Sequence, residues 1–230
     1  MPVTAITTVL FDLDGTLVDS APDLRTAANK LLGQENRRVV SLDEITGMIG
    51  DGVPKLVERA FLATGSGVSS DDLAALSARF LQFYEPHAAD LTVPFPGAID
   101  CLARLKDQGY KLALCTNKPY DATLEILATL GLADGLDAVI GGDTLPGIKK
   151  PDPRHLLAAL DRLAAEPATA VMVGDHANDV TAAKAAGIAT IVCRFGYTQG
   201  SAESLNGDVI IDHFDELPEA LEQVLIRLDR

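Results

Sequence analysis

Cysteine is scarce: Cys101, Cys115 and Cys193 are the only three in 230 residues, and they stand far apart in the chain. Three dispersed thiols make neither a disulfide framework nor a metal knuckle, so a reducing, cytoplasmic setting is expected. Basic residues are also few. Nineteen lysines and arginines face 33 aspartates and glutamates, a formal charge of −14, and the basic ones are scattered. Such a chain repels a phosphate backbone and anionic lipid, which argues against nucleic-acid and membrane partners. No apolar run approaches the roughly 20 residues of a spanning helix. The N-terminus lacks the basic stretch and apolar core of a signal peptide. What is plentiful is apolar surface to bury. With 47% hydrophobic and 23% charged residues, the chain reads as globular, with length for one large domain or one and a half small ones.

Six short apolar runs recur: Val9–Phe11, Leu112–Cys115, Ala138–Ile140, Val171–Val173, Ile188–Cys193 and Val209–Ile211. None alternates cleanly with polar residues, as expected of strands covered on both faces. Helical patterns lie between them. Ala98, Cys101, Leu102 and Leu105 fall at i, i+3, i+4 and i+7, and Leu217, Leu221, Val224 and Leu228 make a similar stripe. Strands alternating with helices from about residue 93 onward predict an α/β fold, a doubly wound, Rossmann-like parallel sheet.

Residues 18–92 break the alternation with helix after helix and no convincing strand. Ser20 stands where a helix cap belongs, ahead of Pro22 and Asp23. Ser41 and Glu44 have capping-box spacing, and Leu73, Leu76, Phe80 and Phe83 form one apolar stripe. The expected arrangement is a core of residues 1–17 and 93–230, with 18–92 as an inserted helical domain. That domain would cover the carboxyl edge of the sheet, where open α/β sheets bind ligands. Pro94–Gly97 reads as the return hinge.

Chemistry-bearing residues gather at the strand ends. The first run closes with Asp12-Leu13-Asp14-Gly15-Thr16, and strand periodicity puts Asp12 and Asp14 on one face. They are either a pair awaiting a cation or ordinary strand-to-turn residues. Thr116-Asn117-Lys118 follows the second run, as an anion nest or a helix cap. In Lys149-Lys150-Pro151, a lysine ahead of the proline is placed over the sheet edge, while Lys149 reads as solvated. Gly174-Asp175 closes a further run, and Asp179 follows near a helix start, where helix electrostatics alone would also place it.

Asp-x-Asp, Thr, Lys and Gly-Asp-x-x-x-Asp thus occupy successive strand ends in that order. The pattern resembles the haloacid dehalogenase-like phosphohydrolase superfamily over most of the chain, with 18–92 in the place of that family's cap. The resemblance implies that Asp12 is a nucleophile forming an aspartyl-phosphate and that Asp14 is the general acid and base. It implies Mg²⁺ held by Asp12, Asp175 and the backbone carbonyl of Asp14. Thr116, the Asn117 amide and Lys150 would bind the phosphoryl oxygens, and Asp179 would orient Lys150 or a metal-bound water. His176 beside Asp175 departs from the small residue commoner in the family; a supporting or solvent-facing ring is expected rather than a ligand.

Gly15–Ser20 and Ile49–Val57 are similar to the phosphoglycolate phosphatase group of that superfamily. This implies a small phosphorylated metabolite as substrate, taken up by a monomer or homodimer. Gly50 and Gly52, with Lys55 and Arg59 nearby, would meet the substrate's carboxylate. Sugar-phosphate phosphatases and phosphomutases of the β-phosphoglucomutase type share these features. A non-enzymatic receiver-like signalling domain also carries Asp, Thr and Lys at strand ends, but its phosphoacceptor lies on an interior strand and it has no helical insert.

Overall fold

Thr8–Phe11 forms β1 in the computed structural model, which describes residues 5–228. The chain then makes a two-residue strand β2 (Val18–Asp19) and four helices: α1 (Ala21–Gln34), α2 (Leu42–Thr46), α3 (Val53–Thr64) and α4 (Ser70–Tyr84). It returns through β3 (Val93–Pro94), antiparallel to β2, with Val18 opposite Pro94 and Asp19 opposite Val93. The expectation of no strand in 18–92 is corrected at this point, because a two-residue pairing carries no periodicity to read. Both passages between sheet and helices therefore run side by side, and Phe95 N–H donates to the Leu17 carbonyl at 3.0 Å.

The remainder alternates as the apolar runs predict. In order it forms α5 (Ala98–Asp107), β4 (Lys111–Cys115), α6 (Tyr120–Thr129), β5 (Ala138–Ile140), α7 (Pro153–Leu163), β6 (Ala170–Gly174), α8 (Ala177–Ala186), β7 (Ala189–Cys193), β8 (Val209–Ile211) and α9 (Leu217–Leu228). The sheet order is β5-β4-β1-β6-β7-β8, and every pairing in it is parallel. From β1 the chain winds first to one edge and then to the other, which makes β1 the middle of a doubly wound sheet. The carboxyl ends of β1, β4 and β6 adjoin there, at the crevice where such sheets take ligands.

Covering both faces explains the unbroken apolar runs. Leu10, Ala113, Cys115 and Met172 pack with Leu156, Ala159 and Leu160 of α7 and Ala182 and Ala183 of α8. Their neighbours Val9, Phe11, Leu112, Leu114, Val171 and Val173 join the other cluster, with Cys101, Leu102 and Leu105 of α5 and Leu217, Leu221 and Val224 of α9. The Leu228 side chain lies outside what the structure describes. The three thiols are buried, and burial pushes Cys101 up to about 11 and Cys115 up to about 12, so they are packing groups.

The helices between β2 and β3 bury Leu24, Leu31, Phe61 and Phe80 among one another in the cluster that also includes Leu13 and Leu17. The Ser41–Glu44 capping box forms as its spacing predicts. On α4 the stripe is shifted: Leu76, Phe80 and Tyr84 are buried, whereas Leu73 and Phe83 are only partly covered. Asp23 ties α1 to the return passage, its carboxylate accepting from the Leu91 and Thr92 amides and the Thr92 hydroxyl at 2.8–3.1 Å.

Candidate active site

β1 ends at Phe11, but the Asp12 amide still donates to the Val173 carbonyl at 3.0 Å, and the chain turns from Leu13, so Asp14 leaves the sheet on that turn. Gly15 makes that turn at φ +87°; a Cβ there would stand 2.3 Å from Asp175 Oδ2. Asp12 and Asp14 line one cavity with Thr116 and Asn117, but their carboxylates take different partners. Asp12 Oδ1 lies 2.8 Å from Lys150 Nζ, and Asp179 Oδ1 accepts from the same ammonium at 2.6 Å. Asp14 accepts instead from Lys118 Nζ at 2.9 and 3.1 Å and from the Ser20 hydroxyl at 2.5 Å.

Asp175, at the end of β6, is held by the Thr16 hydroxyl at 2.8 Å and the Tyr197 amide at 2.6 Å. Asp179 also accepts from the His176 amide at 3.0 Å, closing a capping box at the start of α8. Helix capping and the grip on Lys150 thus coexist in one carboxylate. The Thr116 hydroxyl oxygen accepts from the Lys118 amide at 3.2 Å, a local turn that leaves its proton free to donate into the cavity.

The turn at Gly50–Gly52 docks on the sheet edge. Asn117 Nδ2 donates to the Gly50 carbonyl at 2.9 Å, Lys149 Nζ to the Asp51 carbonyl at 2.6 Å, and Asn178 Nδ2 to Asp51 Oδ1 at 2.7 Å. Lys149 is therefore a clamp, in place of the solvated lysine its sequence context predicts. Burial works against the Asp51 charge, but hydrogen bonds from Asn178 and Arg59 outweigh it and hold its carboxyl below the ordinary value. Gly50 sits at φ +114° directly over His176, whose ring would be 2.6 Å from a Cβ. His176 thus supports the turn. Gly52 lines the cavity, while Lys55 pairs with Glu58 at 2.5 Å on the exposed face of α3 and Arg59 pairs with Asp51.

A family model for the haloacid dehalogenase-like hydrolases matches residues 6–187. The chain belongs to that hydrolase family. A phosphoglycolate phosphatase of Caulobacter vibrioides is 40% identical over 213 residues, covering 93% of this chain and 90% of the relative. One from Cereibacter sphaeroides is 42% identical over 217 residues, covering 94% and 98%. The crystal structure of a predicted phosphoglycolate phosphatase from Haemophilus somnus superposes with a TM-score of 0.87 at 30% identity, covering 94% of this chain and 97% of the other.

In this hydrolase, carboxylate oxygens of Asp12, Asp175 and Asp179 come within 4.8 Å of one another, all buried. One ammonium, Lys150, pairs with two of the three, Asp12 and Asp179. Its own charge is opposed by burial but favoured more strongly by Asp12 and Asp179, so its pKa is raised. The deficit falls on the acids. Burial, with Asp179 and Asp14 adding to it against Lys150, brings Asp12 up to about 6; burial and Asp12 push Asp175 up as well. An oxygen-only donor set short of positive charge fits a hard divalent cation.

Lys118, Tyr84 and Tyr197 carry parts of the site that sequence reading did not single out. Lys118 stands within the Thr116-Asn117-Lys118 run, which gave it no role of its own; Tyr84 and Tyr197 have no local signal. The Tyr197 hydroxyl accepts from the Ser20 and Ala21 amides at 2.8 and 3.0 Å and donates to Asp19 at 2.6 Å. It therefore caps α1 from a distant loop. Ser20 is the N-cap residue but its side chain makes no capping bond, being turned to Asp14. Tyr197→Phe leaves the buried Ser20 amide unpaired and the Ala21 amide with only Asp19 Oδ1 at 3.3 Å, and is expected to cost about 1–3 kcal/mol, read as a lowered thermal midpoint. An unchanged midpoint would mean that water replaces the hydroxyl.

Proposed function

We propose that this hydrolase cleaves a small phosphomonoester, 2-phosphoglycolate, to glycolate and phosphate, and that Mg²⁺ is its cofactor. The observation that carries the reading is the shared cavity. Asp12, Asp14 and Thr116 line one cavity with Asn117, Lys118 and Pro119, and the rest of its wall comes from Leu24, Ile49, Gly50, Gly52, Val53, Leu56 and Tyr84 of the helical segment. Its volume is about 30 Å³, room for about two waters, which favours a small substrate over a large one. Names of the relatives at 40–42% identity support the choice of phosphoglycolate.

Residues 1–17 and 93–230 serve as the catalytic core and 18–92 as the cap. Asp12 attacks phosphorus, and the bond to the leaving oxygen breaks as Asp14 gives that oxygen a proton. Asp14 then takes a proton from the water that attacks the aspartyl-phosphate, releasing phosphate and restoring Asp12. Thr116, the Asn117 amide and Lys150 hold the phosphoryl oxygens as charge spreads over them. Asp179 keeps Lys150 in place. Asp12, Asp175 and the Asp14 backbone carbonyl are the residues for Mg²⁺, which when bound offsets the negative charge of carboxylates and phosphate. Three free, dispersed and buried thiols support a cytoplasmic enzyme. Among the described residues no helix is long and apolar enough to cross a membrane.

A panel of phosphorylated metabolites assayed with Mg²⁺ tests the proposal. 2-Phosphoglycolate is expected to exceed ethyl phosphate and hexose phosphates in kcat/KM by at least about tenfold, since a matched ionic contact is lost in each comparison. A hexose or amino-sugar phosphate at the head of the panel would replace the assignment.

A further inference from the structure

Tyr84 closes α4 with 1% of its surface exposed, and its hydroxyl is buried with no hydrogen-bond partner. The cost of such a group is removed only when something pairs with it. Its ring lines the cavity that Asp12, Asp14 and Thr116 share. Lys118, 5% exposed and lining the same cavity, holds its ammonium 4.7 Å from the centre of that ring. The cavity wall continues into Gly52 and Val53, where the 12-residue helix α3 starts with no side chain capping it.

We propose that the Tyr84 hydroxyl and the Lys118 ammonium, beside the start of α3, form the subsite for the substrate's carboxylate. The inference rests on the phosphoglycolate reading and assigns its recognition to residues other than Lys55. A carboxylate is acceptor-only, and each of these groups is a donor. Burial brings the Tyr84 hydroxyl up to about 12 against the opposing charge of Lys118, so it keeps its proton at neutral pH. Lys118 is opposed by burial, but Asp14 and Tyr84 together favour its charge more, and it stays charged. An ammonium has three protons, so Lys118 can take a substrate oxygen without releasing Asp14. Leu24, Ile49, Val53 and Leu56 keep that part of the cavity apolar, which strengthens every polar contact made within it. A substrate with a methyl group at this place would leave the hydroxyl unpaired, and discrimination follows.

Ethyl phosphate is the matching probe, with the same two carbons and a methyl in place of the carboxylate. The ratio of kcat/KM for 2-phosphoglycolate to that for ethyl phosphate is measured in the wild type and in Tyr84→Phe. The ring should keep its stacking on Phe80, 5.7 Å between centres, and thermal melting checks the fold. The ratio is expected to fall about tenfold or more, the usual scale for losing a hydrogen bond to a charged group. Lys118→Met, made independently, is expected to lower the same ratio. A purely structural role for Tyr84 would reduce both substrates alike, and an unchanged ratio in the two variants overturns the subsite. A wild type with no preference for 2-phosphoglycolate rejects the proposed function and this subsite with it. A preference that survives both substitutions rejects the subsite alone.

Discussion

Asp12→Asn is expected to lower phosphate release by at least about three orders of magnitude, because the amide keeps the shape but removes the anionic attacking oxygen. Steady-state assay of a preparation free of host phosphatases reads this directly. Loss of fold is separable from loss of chemistry by the sign of a second effect. The Asp12 carboxyl stands at about 6 in the fold, above its ordinary 3.8, with burial the largest cause. A carboxyl raised on folding favours the folded state below its unfolded value and loses that contribution as pH rises through its folded one. In chelator at pH 8 the wild type therefore holds a charge that burial and Asp179 penalise, and asparagine does not. The variant should melt no lower than the wild type there while being inactive. Near-normal turnover would remove Asp12 from the proposed mechanism.

Chelation is expected to abolish activity, and Mg²⁺ to restore it, because Asp12, Asp175, Asp179 and a phosphate dianion share one buried space with Lys150. The readout independent of turnover is thermal melting. Added Mg²⁺ should raise the midpoint more at pH 8 than at pH 5. At pH 5 the Asp12 carboxyl, at about 6, is mostly protonated and metal must displace that proton. Binding at a hundred times Kd adds about 2.7 kcal/mol to stability. Asp175→Asn should shrink the Mg²⁺-dependent shift. Full activity in excess chelator, or an equal shift in Asp175→Asn, would contradict this metal assignment.

Sequence reading reached furthest where the signal is local. An apolar run too short for a helix and without polar alternation states both a strand and its two covered faces, and all six such runs form strands. Residues that follow those runs were placed at the sheet edge for the same reason. Asp12, Thr116 and Asp175 each adjoin a strand end, and the parallel order β4-β1-β6 sets those ends side by side. It reached least far inside the helical segment, where amphipathic stripes indicate which face is buried but not what lies opposite. Lys55 followed a glycine turn and was a reasonable anion partner by spacing. Its place on α3 instead gives it Glu58, one turn on.

Ser20 separates the two kinds of information most clearly. By itself the sequence determined that a helix starts after Ser20, because Pro22 and Asp23 suit a first turn and the residues beyond keep helical spacing. Which group caps that helix was decided by tertiary structure. Tyr197, 177 residues away from Ser20, brings its hydroxyl to the α1 amides, and the Ser20 hydroxyl goes to Asp14. The same holds for Lys150 between Asp12 and Asp179, and for Lys118 over Tyr84. Backbone periodicity is a property of neighbouring residues and is written in their order. A buried donor's choice among several acceptors depends on which of them the packed sheet and helices bring within about 3 Å, and no spacing along the chain encodes that distance.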